Sequence, residues 1–310
     1  MTPVVVIGAG IAGLACARRL TQAGVPTLVL DKGRGIGGRV ATRRAEGMQF
    51  DHGAQYVTAR EDGFAALLRD LAAQGAVAPW ADGTGRSHSV GTPGMSALAK
   101  ALGAGLDVRQ NALVSRVLTV AGGWQLRVGD ADLAAARVVI TIPAPQVAGL
   151  LGADHPLVAP LAGVRLAPCL TLMAGIAGPA PFVTRKDPDD PLSWIAQDSS
   201  KPGRPSGAVT AWVAQAGEAF SVEHLEKDPT QIAALMLPLL CDRLGAAPEM
   251  VAHAAAHRWR YARVTQALGQ NFLRSADGTL YLGGDWCIGP RVEAAWTSGT
   301  AIAEDVLARA

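Results

Sequence analysis

The sequence predicts an α/β fold with two units. One is built on a parallel sheet and assembled from separated stretches of chain. The other is an α+β unit built on an antiparallel sheet. Three observations carry this expectation. Val4, Val5, Val6 and Ile7 form an apolar β-branched run, the composition of a parallel strand buried on both faces. Similar short runs return at residues 27–30, 138–142 and 279–282, far apart along the chain. Between the last two, residues 169–176 and 209–215 read as long strands of an antiparallel sheet.

The first strand runs into Gly8, Gly10 and Gly13 at G-x-G-x-x-G spacing. Gly8 permits the tight turn, and Gly10 lets backbone approach a pyrophosphate. Gly13 lets the following helix, residues 11–23, pack close to the strand. The first N–H groups of that helix, from Ile11 and Ala12 onward, then face the phosphates at its positive end. Gly24 suits the residue that ends it. Asp31 closes the second strand 18 residues after Gly13, where a ribose-binding acid belongs. Strand, helix, strand and acid in register describe a Rossmann-like dinucleotide-binding unit. A second glycine run follows, from Lys32 through Gly38 to Arg39. An NAD domain does not need it. A larger dinucleotide, with its pyrophosphate deeper in the protein, would use those N–H groups and the arginine.

A chain of 310 residues holds two such units with a substantial core. With 49% hydrophobic and 17% charged residues it is not a disordered chain. A net charge of +2 gives no reason to expect nucleic acid or an anionic membrane as a partner. Cys16, Cys169, Cys241 and Cys287 are scattered without metal-ligand spacing, so no metal and a reducing compartment are expected. No apolar run approaches about 20 residues, so no membrane span is expected. The N-terminal glycines read as retained structure rather than a signal peptide. The expected setting is the cytoplasm, with no obligate protein partner.

Along the rest of the chain, residues 50–56 read as a short strand entering a loop, where Gly53 lets backbone near a planar ligand. Phe64, Leu67, Leu68 and Leu71 share one face of a helix over residues 61–74. Residues 76–91 read as a polar, turn-rich stretch in which Trp80 and His88 are the notable side chains, His88 being either catalytic or a solvated loop histidine. A helix opens at 93–96 and runs to Leu102. Residues 106–139 alternate like antiparallel strands, with turns at 122–123 and 129–130. Residues 182–205 form a long charged loop, whose Lys201 and Arg204 either grip a phosphate or point into solvent. A helix over 228–244 is capped by Asp228 with Pro229 first. Residues 257–263 make a strand with bulky residues on both faces, and 293–308 the last helix.

Gly37-Gly38-Arg39 resembles the Gly-Gly-Arg signature of the flavin amine-oxidase superfamily, which includes phytoene desaturases, protoporphyrinogen oxidases and renalases. Residues 53–60, 93–102, 201–204, 257–263 and 284–299 are similar to the bacterial renalases of that superfamily, and the likeness runs from Val4 to the last helix. Ala294 departs from it, standing where related flavin proteins often have glycine. The resemblance implies a discontinuous fold of the p-hydroxybenzoate hydroxylase type. Residues 1–56, 93–148 and 271–310 would form an FAD-binding domain, and residues 57–92 and 149–270 a substrate domain.

It also implies non-covalent FAD held by Gly8, Gly10, Ile11, Ala12, Gly13, Asp31, Lys32, Gly38 and Arg39. Gly53, Ala54 and Gln55 would pass beside the isoalloxazine ring, and Val114 would contact adenine through backbone. Gly284 would admit the ribityl-phosphate and Asp285 accept its hydroxyl hydrogen bonds. Arg291, Val292 and Glu293 would open the last helix toward the flavin N1–C2 carbonyl edge, where its dipole stabilises negative charge.

The implied reaction oxidises 2- or 6-dihydro isomers of NAD(P)H, with hydride passing to flavin N5 and O2 reduced to hydrogen peroxide. A dihydropyridine that becomes aromatic on losing hydride needs no strong base. It needs stacking at about 3–3.5 Å and exclusion of water. Tyr56 and Trp286 are the expected pocket walls, and His257 a donor to the substrate carboxamide. The alternative is an amine oxidase of the same fold acting on a small amine or polyamine. Such enzymes commonly place a lysine near flavin N5, and none of the five lysines here sits obviously in that setting. A desaturase and a non-catalytic flavin protein are the remaining readings.

Overall fold

The computed structural model describes residues 2–309. Its six-stranded sheet has the order Leu273–Arg274, Leu280–Leu282, Arg137–Ile140, Val4–Ile7, Thr27–Leu30 and Asp107–Arg109. All neighbours are parallel except the first pair. Val4–Ile7 sits inside this sheet with all four residues buried, which is why its sequence shows no alternation. Strand order reverses on its two sides, toward Thr27–Leu30 and toward Arg137–Ile140. The glycine loop therefore leaves the sheet at a topological switch point, where open α/β sheets bind ligands.

Asp107–Arg109, expected among antiparallel strands, is instead the parallel edge of this sheet, with Leu28 paired to Asp107. At three residues, with none buried, it carries no periodic signal to read. The strands Val114–Val120, Gly123–Val128 and Ala131–Ala135 do form the expected antiparallel meander.

The second large sheet is antiparallel, in the order Thr184–Lys186, Trp194–Gln197, Val209–Gln215, Arg165–Ala177 and Val251–Gln266. Alternation along Arg165–Ala177 gives it two working faces. Leu170, Leu172 and Ala174 pack with Ile232, Met236 and Leu240 of the helix Pro229–Leu244. Asp228 caps that helix, accepting from the N–H groups of Thr230 and Gln231 at 2.8 and 3.0 Å. On the opposite face Met173 and Val213 pack with Phe50 from the hairpin Thr42–Ala45/Met48–Asp51. That hairpin leads straight into residues 52–56.

Two stretches read as loops are more ordered than expected. Residues 182–205 contain two strands of the antiparallel sheet and the turn Asp198–Ser200. Residues 76–91 contain the hairpin Val77–Ala81/Ser87–Gly91. That hairpin is held by the burial of Val77, Trp80 and Val90. Its prolyl, seryl and glycyl content hid it.

Candidate cofactor and substrate site

The helix Ile11–Gln22 starts at Gly10 without a side-chain cap, so its first N–H groups are open. A Cβ on Gly10 would meet nothing within 4 Å, whereas one on Gly13 would collide with the Gly8 carbonyl oxygen. The helix thus closes tightly on the strand and leaves space over its positive end, as anionic phosphates require. The second glycine run lies against the first. Gly37 N–H donates to the Ala9 carbonyl at 2.8 Å, and Gly10 and Gly37 form a parallel bridge. The Asp31 carboxylate accepts from Ala9 and Gly33 N–H groups, both at 2.6 Å, and so ties the two loops together. Ala112 N–H donates to the Asp31 carbonyl at 2.8 Å, which brings the chain to buried Val114. Lys32 is exposed.

Arg39 closes the far side. Its guanidinium donates to both Asp285 oxygens at 2.7 and 2.6 Å and to the Ala262 carbonyl at 3.0 Å. The Arg39 carbonyl accepts from Ala54 N–H at 2.8 Å, and a Cβ on Gly53 would collide with that same oxygen. The helix Val292–Leu307 begins at Arg291, again without a side-chain cap. Buried Glu293 accepts from the N–H groups of Arg60 and Glu61 at 2.7 and 2.9 Å, with Arg291 3.4 Å from its second oxygen. Two uncapped helix N-termini and two adjoining glycine loops fit a dinucleotide that carries both a pyrophosphate and an electron-rich ring.

Residues 51–55 are held from behind by four buried charges. Asp51 accepts from Thr42 Oγ1 at 2.7 Å, Met95 N–H at 2.9 Å, Lys201 Nζ at 3.2 Å, and Arg204 Nη2. Asp198 accepts from Lys201 at 2.5 Å and from Asp51 N–H at 3.2 Å. Lys201 also donates to Gln55 Oε1 at 3.2 Å. None of the four side chains is more than 1% exposed. Burial pushes the Asp51 carboxyl up, but Lys201 and Arg204 outweigh it and hold it below its ordinary value. Burial, with the charge of Asp51 adding, pushes Asp198 up. Two carboxylates balanced by two cations is the condition under which charge survives burial. Lys201 and Arg204 therefore neither grip a phosphate nor point into solvent.

In front of this cluster is a wall of aromatic and imidazole rings. His52 stacks on Trp259 with centroids 5.3 Å apart, and His257 meets both edge-on at 4.8 and 4.3 Å. Trp259 Nε1 donates to the His52 carbonyl at 2.7 Å, and Gln215 Nε2 to the Gly53 carbonyl at 2.7 Å. Burial depresses His52 to about 4. Burial, then Arg43, depresses His257 as well. Both rings are neutral at pH 7.

Tyr56 lies flat on His88, with centroids 3.9 Å apart at 14°, and Trp194 stands 5.8 Å away. His88 is not a solvated loop residue: its side chain is 9% exposed, and its Nε2 lies 3.0 Å from Asp82. Burial pushes the Asp82 carboxyl up, but hydrogen bonds from Thr84 and His88 prevail and lower it to about 2.

Gly8, Gly10, Gly13, Asp31, Gly38, Arg39, Gly53, Ala54, Asp285 and Glu293 thus belong to one connected region. His257 belongs to one group of rings with His52 and Trp259, and Tyr56 to a second with His88 and Trp194. Trp286 does not join them: it is 1% exposed in the core with Ile140 and Leu282, its indole N–H donating to the Ile142 carbonyl at 3.0 Å. Asp51, Asp198 and Asp82 carried no signal in the sequence beyond ordinary turn residues, and nothing there joined His88 to Asp82. Among the described residues, no group of three or more His, Cys, Asp or Glu side chains is arranged to hold a metal ion. No helix among them is long and apolar enough to cross a membrane.

Comparison with known proteins agrees with this geometry. Residues 6–71 match the NAD(P)-binding Rossmann-like domain. AofH of Mycobacterium tuberculosis, a candidate flavin-containing monoamine oxidase, is 43% identical over 68 residues, 22% of this chain and 15% of that protein. The match therefore spans under a fifth of the length of that curated relative. A double mutant of putrescine oxidase superposes with a TM-score of 0.78 at 15% identity, covering 99% of both chains. Cyclohexylamine oxidase from Brevibacterium oxydans IH-35A superposes at 0.76 with 12% identity, again over 99% of both. Residues 80–307, most of the chain, match the family model described as flavin containing amine oxidoreductase, and to that family of flavin-dependent enzymes the chain belongs.

Proposed function

We infer that the protein is an FAD-dependent oxidase of renalase type, acting on 2- or 6-dihydro isomers of NAD(P)H with O2 as acceptor. The observation that carries this reading is the lack of a free anion at the ring-lined wall, whose imidazoles feel the positive charge of Arg43. His52 and His257 are uncharged at pH 7. The carboxylates Asp51, Asp198, Asp82, Asp285 and Glu293 already hold cations, an imidazole or N–H groups. Such a wall suits a flat, uncharged nicotinamide and offers no free anion to a protonated amine.

Bound FAD supplies the two-electron acceptor. The chain's own part is positioning. Trp259, His52 and Tyr56 offer faces for a planar ring. The neutral imidazole of His257 can donate to, or accept from, a carboxamide. Gln215 and Arg39 hold the Gly53 and Ala54 backbone in place from two sides. No side chain need remove a proton. Lys201, the buried lysine, already serves Asp51, Asp198 and Gln55, and so is not free for an amine-oxidase role.

The test is anaerobic mixing of the yellow protein with 2-, 4- and 6-dihydronicotinamide dinucleotides while the flavin band is followed. Rapid bleaching by the 2- or 6-isomer, with the 4-isomer slow, is the expected result. Bleaching by none of them overturns the reading. The second reading, oxidation of a small amine, is supported by the fold shared with putrescine and cyclohexylamine oxidases. Bleaching by putrescine or cyclohexylamine instead would establish it.

A further inference from the structure

The hairpin Val77–Ala81/Ser87–Gly91 and the helix Asp62–Ala73 stand far enough apart to leave a cleft of about 450 Å³. Nothing in the function above uses it. Its volume lies within the range of ordinary small-molecule sites, roughly 300–1,000 Å³. Leu68, Ala72 and Pro79 give it apolar walls, and Arg69 puts a guanidinium on its rim. Among the residues lining it Arg69 is the one arginine and there is no carboxylate, while Asp82 stands 3.0 Å behind His88. At one end His88 belongs both to the cleft and to the wall beside Tyr56, on which its ring stacks. Asp82 holds His88 Nε2, while the buried Nδ1 has no partner.

We propose that this cleft binds the non-reacting half of the substrate, a nucleoside diphosphate that runs from the nicotinamide past Tyr56 and His88. The proposal rests on the renalase reading. A dinucleotide substrate carries its own pyrophosphate and purine, and the glycine loops described above serve those of the cofactor. A second cleft, with Arg69 in its lining and His88 shared with the Tyr56 ring stack, meets that need. Arg69 faces the phosphates, and the apolar walls take the purine.

The experiment titrates ADP-ribose into the FAD-loaded protein by calorimetry, beside Arg69→Glu and Ala72→Trp. Both substituted residues are exposed, so the variants should keep the wild-type FAD content and melting temperature. One-to-one binding, weakened at least tenfold in both variants, is expected. In stopped flow both variants should raise the apparent Kd for the dihydronicotinamide dinucleotide tenfold and leave the corresponding mononucleotide unchanged. No binding of ADP-ribose, or equal binding by all three proteins, overturns the cleft assignment. Bleaching by the 2- or 6-isomer without ADP-ribose binding removes the cleft alone. ADP-ribose binding lost in the variants, without bleaching by any isomer, keeps the cleft as a nucleoside diphosphate site and removes the renalase reading.

Discussion

Lys201 Nζ lies 3.2 Å from Asp51 Oδ2 with neither side chain exposed, although 150 positions separate the two residues. The contact fastens the turn after Trp194–Gln197 to the segment that passes the ring-lined wall. Lys201→Met leaves two buried carboxylates facing one guanidinium. Removing one partner of a buried ionic group costs about 3–5 kcal/mol, read as a lowered urea midpoint. The loss should be smaller at pH 5 than at pH 8. Asp198, already raised by burial and by Asp51, takes a proton more readily once its lysine is gone. An equal loss at both pH values would show that the charge balance is not what holds the cluster.

Gly10 and Gly53 should respond oppositely to alanine. At Gly10 a Cβ has open space, so folding without cofactor should change by no more than about 0.5 kcal/mol. Flavin retention should nevertheless fall, because the methyl enters the space where phosphates approach. At Gly53 the Cβ collides with the Arg39 carbonyl, which cannot retreat without losing the Ala54 hydrogen bond. Overpacking there should cost about 1–3 kcal/mol even without flavin. Denaturation of the apoproteins and the 450/280 nm ratio of the holoproteins separate the two effects.

Arg39→Lys should lower flavin occupancy although charge is conserved. A lysine ammonium cannot reproduce the two-pronged contact with Asp285 and still reach the Ala262 carbonyl. The Asp285 carboxylate then swings free of the place the guanidinium gave it. A loss of about 1.5–3 kcal/mol in flavin binding, measured by ultrafiltration, is the expected size.

Stability should fall on acidification through the range set by His52. An unfolded histidine titrates near 6.5, and burial lowers His52 to about 4 in the folded chain. Between those values the unfolded state binds the extra proton. The contribution is therefore fully present above pH 6.5 and lost as pH falls toward 4, with a slope of up to about 1.4 kcal/mol per pH unit. His257 is depressed too and acts in the same direction. The difference between wild type and His52→Gln, followed from pH 7.5 to 4.5, isolates the first term. A difference that stays constant over that range would count against it.

The glycine turn and the helix after it were legible because their signals are local. Gly8, Gly10, Gly13 and Asp31 act through turn geometry and short spacings, which a sequence displays directly. The long helices Asp62–Ala73 and Val292–Leu307 were legible through their apolar faces. The ring-lined wall was legible only in fragments. His257 and Tyr56 were picked out by their neighbours, yet the partners that define their setting, His52 and His88, come from other elements. Lys201 and Arg204 misled for the same reason. Whether a charge is buried depends on Asp51, which no spacing connects to them. Trp286 misled in the other direction, since adjacency to Asp285 in sequence does not decide which way an indole points.

The arrangement of the parallel sheet bears on how the chain comes to be folded. Leu280–Leu282 pairs with Arg137–Ile140, which in turn pairs with Val4–Ile7. A ribosome delivers Arg137–Ile140 before the strands of the antiparallel sheet and Leu280–Leu282 after them. The nascent protein must therefore carry an unfinished sheet, with one side of Arg137–Ile140 unpaired, until all five strands of the antiparallel sheet have emerged. Pairings this distant in sequence are slow to form. Exposed strand edges in the meantime invite association with other chains. Heterologous production should accordingly be limited less by the final stability of the enzyme than by chaperone supply during translation, and slower synthesis at low temperature should raise the soluble yield.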